Sequence, residues 1–186
     1  VTIQAKEQTV NLLVFEYASI SEGMKTCDYA LKNFMLNLVK HDIRCPGRYS
    51  CLLEGSEANI KRLGEHLMAN TTQKCLSVKS VYHLSDGLLE ARNTSVEPGA
   101  QEDLLIVETK HLVDSYYVLD QLIKRTALTQ YAILDRLGLF GKGVVIVAGK
   151  SQSIKQGLSM TREASFEKMV WQSEVIQNPA MGSIRF

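Results

Sequence analysis

No stretch of this sequence approaches the roughly 18–20 consecutive apolar residues of a membrane-spanning helix. The opening residues, Val1 to Gln8, lack the apolar run of a signal peptide. Neither membrane insertion nor secretion is expected. No run of Lys or Arg occurs, and 21 basic residues balance 20 acidic ones to a net charge of +1. A nucleic-acid footprint needs a basic stripe, so nucleic acid is not an expected partner. The four cysteines, Cys27, Cys45, Cys51 and Cys75, contain no C-x-x-C pair and no disulfide-dense spacing, which reads as a cytosolic protein with reduced thiols. No H-E-x-x-H or Ser-His-Asp pattern appears, and His41, His66, His83 and His111 are scattered without ligand spacing. Nothing in the motifs supports turnover, and the chain is read as a non-enzyme.

What is present is a repeat. Leu13-Val14-Phe15-Glu16-Tyr17 matches Leu105-Ile106-Val107-Glu108-Thr109 at an offset of 92, which also pairs Asp28 with Asp120, Lys32 with Lys124 and Leu36 with Leu128. The 186 residues therefore divide into two modules: residues 1–95, a linker at 96–103, and residues 104–186. In the first module, a buried strand at Leu12–Tyr17 precedes a helix capped by Ser19 or Ser21, with Met24, Cys27, Leu31 and Phe34 on one face. The matching face of the second module is Tyr116, Leu119, Ile123 and Ala127. Strands follow at Leu36–Ile43 and Tyr49–Leu53, a helix at Ala58–Ala69 and a strand at Cys75–Tyr82. A short helix is expected at Ser85–Arg92, before the Pro98-Gly99 linker region. The second module repeats the order. The fold class is thus α/β in the α+β sense: two tandem ferredoxin-like β-α-β-β-α-β modules, unpermuted, with helices on one face of an antiparallel sheet.

The two copies diverge in one turn. Between the second and third strands the offset changes to 94, so that Gly55 matches Gly149 and Ile60 matches Ile154. The first copy reads Arg44-Cys45-Pro46-Gly47-Arg48, and the second reads Leu137-Gly138-Leu139-Phe140-Gly141-Lys142-Gly143. Pro46-Gly47 suits the central pair of a type II turn, with Cys45 at a projecting corner. Two readings of Cys45 stand: a small buried hydrophobe, or a metal ligand. One Cys cannot close a metal site in a monomer, since zinc and iron–sulfur centres need three or four ligands. The Gly-rich loop leads into a strand rather than a helix, which excludes a dinucleotide-phosphate loop. Its glycines are expected to let backbones from several chains approach closely. Cys27 and Cys51 read as core residues, and Glu16 and Glu108, paired by the repeat, as structural. Arg44 and Arg48 read either as groups favouring a thiolate or as solvated loop charges.

These residues resemble a known family. Leu104-Leu105-Ile106-Val107-Glu108-Thr109-Lys110, Asp120-Gln121-Leu122-Ile123-Lys124 and Gly141 to Gly149 look like the bacterial microcompartment shell domain. So do Val14-Phe15-Glu16-Tyr17 and Asp28-Tyr29-Ala30-Leu31-Lys32. Two such domains in unpermuted order resemble the trimeric tandem shell proteins. Ile43 to Tyr49 is similar to the pore turn of their iron–sulfur-binding members, found in propanediol-utilisation compartments. The chain departs from the family after its fourth strands, where Tyr82-His83-Leu84 and Ile176-Gln177-Asn178-Pro179 replace a Pro-Arg-Pro-His ending. The resemblance implies a homotrimer shaped as a pseudo-hexagonal tile, packed beside neighbouring shell proteins in the bacterial cytoplasm. It implies Cys45 as metal ligand, a pore lined by Arg44, Pro46, Gly47, Arg48, Phe140, Gly141 and Lys142, and tile-edge contacts from Lys32 and Lys124. Three symmetry-related thiolates would suit three irons of a cube about its body diagonal. The implied cofactor is an iron–sulfur cluster, [4Fe–4S] favoured over [3Fe–4S], exchanging electrons with a redox partner at the pore. The alternatives are a tile with a cluster-free pore for small metabolites, and a cytosolic redox or regulatory protein on ferredoxin-like modules.

Overall fold

A computed structural model describes residues 10–70, 72–135 and 139–180. Val1 to Gln8, Leu137 and Gly138 of the Gly-rich loop, and the tail beyond Ala180 lie outside the described residues. The first module runs β1 (Asn11–Tyr17), α1 (Ile20–Asn33), β2 (Leu36–Arg44), β3 (Arg48–Gly55), α2 (Glu57–Ala69) and β4 (Cys75–Val81). The second runs β5 (Asp103–Thr109), α3 (Leu112–Arg125), β6 (Gln130–Leu134), β7 (Gly143–Gly149), α4 (Ser151–Thr161), α5 (Ala164–Glu167) and β8 (Val170–Ile176). Each module forms one antiparallel sheet, ordered β2-β3-β1-β4 and β6-β7-β5-β8. This is the ferredoxin-like arrangement expected from the sequence, made twice. Helix α5 was not expected, because four residues are too few to show a period.

Local chemistry sets the elements. Ser19 caps α1, its Oγ accepting the Glu22 N–H at 3.4 Å, and Glu22 and Lys32 sit at the ends that the helix dipole favours. Ser56 caps α2 in the same way through Asn59. In β1 every residue is buried, because both faces of the first sheet are covered. On one face α1 and α2 close a core of Leu13, Phe15, Cys27, Tyr49, Cys51 and Leu63 with their neighbours. Helix α1 lies close enough to the sheet that a Cβ on Gly23 would meet the Tyr49 ring at 2.5–2.8 Å.

The other face of the first sheet meets the second module. Leu12, Val14, Leu52 and Val81 share one core with Leu105, Val107, Tyr116, Leu119, Leu122 and Val147. Helix α3 lies between the two sheets, touching β1 and β4 on one side and β5, β6 and β7 on the other. Nine of its fourteen residues are buried, against three in α1. The apolar face expected for α1 is corrected accordingly: Cys27 is buried, but Met24 is 49% and Leu31 37% exposed. Of the matching residues, Tyr116 and Leu119 are buried. Ile123 is half-buried, and Ala127 is exposed beyond the helix end.

The short helix expected at Ser85–Arg92 is a run of turns instead. Gly87 at φ +73 interrupts it, and the chain turns to pair with β6: Asn93 donates to the Ile133 carbonyl and Ile133 to that of Ala91, both at 2.8 Å. Leu88, Ala91 and Val96 are buried. Val96 packs on the outer face of the second sheet with Leu104, Ala132, Ile146 and Ala148. No described helix is long and apolar enough to cross a membrane.

Candidate functional site at two facing turns

The divergent turns lie beside each other. Arg44, Cys45, Gly141 and Lys142 line one cleft of about 200 Å³, with Asp42, Ile43, Leu112 and Asp135. The first turn is the three-residue connection Cys45-Pro46-Gly47 between the paired residues Arg44 and Arg48. Its Cys45–Pro46 bond is cis, and Gly47 has φ +77, the positive φ that the expected turn asks of its glycine. Cys45 is exposed and outside any disulfide, so the buried-hydrophobe reading does not hold for it. Cys27 and Cys51, read as core, are buried, with their sulfurs 3.5 Å apart. Among the described residues no group of three or more His, Cys, Asp or Glu side chains is placed to hold a metal ion.

Neither arginine of the first turn is a solvated charge. Arg44 pairs with Asp42 at 3.2 Å and with Asp135. Arg92 pairs with Asp42 at 3.1 Å and also with Asp135, whose side chain is fully buried. This four-residue network ties β2 of the first module to the connecting segment and to the end of β6. Burial alone would raise the Asp42 carboxyl, but Arg92 and Arg44 outweigh it and hold it below its ordinary range.

Arg48 bridges the two turns. Its Nη1 donates to Glu16 Oε1 at 2.9 Å and to the Gly141 carbonyl at 3.2 Å, and lies 3.3 Å from His111 Nδ1. Gly141 has φ +83, and a Cβ there would collide with the Arg48 guanidinium. At Gly143 a Cβ would collide with Ser115 and Thr109. These two glycines therefore serve close approaches inside one chain. Burial pushes the Glu16 carboxyl up against the opposing pull of Arg48. Burial, then Arg48, Lys79 and Lys110, push His111 down to about 4.

The repeat carries this arrangement over. Offsets of 92 and 94 map Glu16 onto Glu108, Arg48 onto Lys142 and Gly47 onto Gly141. Lys142 bonds Glu108 at 3.2 Å as Arg48 bonds Glu16, and it lies 4.8 Å over the Trp171 ring. The Glu108 and Lys142 side chains are 40% and 39% exposed, whereas those of Glu16 and Arg48 are 1% and 20% exposed. Phe140, at φ +48, is exposed next to them.

Lys32 and Lys124 also differ. Lys32 pairs with Asp28 at 2.7 Å on an open surface. Lys124 pairs with Asp120 at 2.6 Å and donates to the Tyr82 carbonyl at 2.7 Å, joining α3 to the exit of β4. Asp120 accepts from Ser85 N at 3.0 Å and Ser85 Oγ at 2.9 Å, and Asp114 accepts from Ser77 Oγ at 2.6 Å. Lys124 thus works at the joint between the modules of one chain.

A scan of family profiles finds no match. The chain is 25% identical over 171 residues to the bacterial microcompartment shell protein PduT of Citrobacter freundii, covering 89% of this chain and 91% of that protein. Its structure is similar to a microcompartments protein from Desulfitobacterium hafniense, at a TM-score of 0.68 and 21% identity, over 92% of this chain and 96% of that one. The chain has the tandem fold of bacterial microcompartment shell proteins. It is also similar to a double ringed trimeric shell protein of the RMM microcompartment, at a TM-score of 0.56 and 9% identity, over 84% of this chain and 83% of that one. Within the tandem shell fold, the residues that sequence reading did not bring to the turns are Asp42, Arg92, His111 and Asp135. Glu16, read as structural from its pairing with Glu108, holds Arg48; Asp42 stands two residues from Arg44, and Arg92, His111 and Asp135 come to the turns from far along the sequence.

Proposed function

We propose that the chain is a structural tile of a bacterial microcompartment shell, working in the cytoplasm as a homotrimer of pseudo-hexagonal outline rather than as an enzyme. One observation carries this reading. The joint between α3 and the first sheet has an equivalent, made by α1 and the second sheet, that one chain leaves open. Met24 and Leu31 on α1 stand where Tyr116 and Ile123 stand on α3, and they are exposed. On the second sheet Ile106, Val144 and Ile176 are only partly buried. A helix face and a sheet face that match but cannot meet in one chain fit a head-to-tail contact between copies. Similarity to PduT and to a trimeric shell protein supports closure at three chains, hence six modules.

Head-to-tail closure would gather three Cys45 turns at the ring centre. One exposed thiol per chain is a donor set that fits an axial iron–sulfur cluster, [4Fe–4S] before [3Fe–4S], and the three Cys45 sulfurs would hold it. When bound, such a cluster supplies one-electron transfer, and the place for it at a pore suits exchange across the shell with a redox partner. A second reading, the same tile with a cluster-free pore for small metabolites, is favoured by the ion pairs of Arg44 and Arg48, which leave neither guanidinium free to balance a cluster's charge. Anaerobic purification separates the two. The expected result is a mass three times the 20.8 kDa chain, about four irons per trimer, and a colourless trimer for Cys45→Ser. A trimer without iron after anaerobic reconstitution supports the cluster-free pore; a monomer rejects both tiles.

A further inference from the structure

We infer that Lys142 of one copy positions the Cys45 turn of the next copy, by donating to the Gly47 carbonyl as Arg48 donates to the Gly141 carbonyl within a chain. The inference rests on the tile reading and gives the ring centre a clamp contributed by the neighbouring copy.

The two turns end in glycines of matching position and conformation, Gly47 at φ +77 and Gly141 at φ +83. At Gly141 the space a Cβ would take is filled by Arg48. At Gly47, among the described residues, nothing lies within 4 Å of that position. The group that fills the first space is a cation held by a strand carboxylate, Arg48 on Glu16. Its repeat equivalent is Lys142 on Glu108, both half-exposed. One chain therefore carries an empty receptor at Gly47 and a half-exposed cation at Lys142. The contact that seats α1 of one copy on the second sheet of another would bring them together in the geometry already made by Arg48.

Other equivalents fall into the same contact. Lys124 donates to the Tyr82 carbonyl, and Asp120 accepts from Ser85; their equivalents Lys32 and Asp28 are exposed. On the strand side, Tyr82 corresponds to Gln177, since β4 and β8 align at an offset of 95 through Val81 and Ile176 opposite Leu12 and Leu104. Charge agrees too: Lys142 brings a cation to a turn whose own arginines are occupied by Asp42, Asp135 and Glu16. A lysine ammonium is a point donor on a flexible stem, able to reach a carbonyl while keeping its bond to Glu108.

Amide exchange tests this on the assembled protein. Wild type, Lys142→Met and Lys142→Arg are compared as oligomers, and again in a Met24→Asp background that opens the helix contact. The expected result is about tenfold faster exchange at Gly47 and Arg48 in assembled Lys142→Met, equivalent to about 1.4 kcal/mol. Lys142→Arg should restore the wild-type rate, and in the dissociated background Lys142→Met should change nothing. Unchanged exchange in an intact Lys142→Met oligomer overturns the clamp and leaves the tile standing. An equal effect in the dissociated background also overturns it, since the contact would then lie within one chain. A wild type that never assembles overturns clamp and tile together.

Discussion

Arg48 and Lys142 hold equivalent positions and live in different surroundings. The first is sealed between modules, where a buried carboxylate, a carbonyl and a histidine meet it; the second stands half in water. Such differences are set by residues far away in sequence, which is why Cys27 and Cys51 could be read as core from local pattern while His111, Arg92 and Asp135 could not. His111 leads to a prediction at this scale. Its pKa falls from 6.5 to about 4 on folding. Between those values the unfolded chain takes up a proton that the folded chain refuses, so stability falls as pH drops through that window. Glu16 and Asp114, both raised by burial, act with the opposite sign, so the test needs a variant. Thermal melts from pH 7 to 4 should show wild type losing more stability than His111→Gln. Parallel loss in the two proteins would reject the assignment.

At the scale of elements, α1 and α3 show what a periodic pattern conveys. The spacing of Met24, Cys27 and Leu31, and of Tyr116, Leu119 and Ile123, marked an apolar side on both helices. It did not say how many layers cover that side. One layer covers α1, and two sheets enclose α3. The sheets were legible because each strand is short, apolar and bounded by turn residues. The run after β4 was misread because Leu88 and Ala91 have helical spacing, while its local bonds close only single turns and its end, at Ala91 and Asn93, bonds to β6. Truncation should separate the two helices. Tyr116→Ala is expected to cost about 3–5 kcal/mol, in the range for emptying an aromatic site. Met24→Ala should stay within about 0.5 kcal/mol in the dissociated chain. Urea titration of both variants measures the contrast, and equal losses would mean that α3 is not the shared element.

At the scale of the whole molecule, the two modules are separate in sequence and joined in energy. Leu12, Val14 and Val81 belong to the same buried cluster as Val107, Tyr116 and Val147, so neither module has a complete core alone. Unfolding should therefore be cooperative across both. Trp171, the single tryptophan, reports on the second module. The buried thiols of Cys27 and Cys51 report on the first through their reaction with a thiol reagent. Their transitions in urea should coincide, and a first module that opens earlier would contradict the shared core. The repeat was plain in the sequence, but this interlock was not, because an offset of 92 residues shows that two units are alike without showing that one completes the other.

The α3 joint has a consequence for how a ring is built. Its two halves share a backbone, so they meet at an effective concentration in the millimolar range, whereas the matching contact between copies depends on free protein. In the proposed trimer, three chains bring six modules together through two bimolecular encounters, where six separate modules would need five. As expression rises, the tethered joints are already complete and dilution acts on the others alone. In the trimer proposed above, the chain would be a prefabricated third of a ring, with concentration governing the remaining seams.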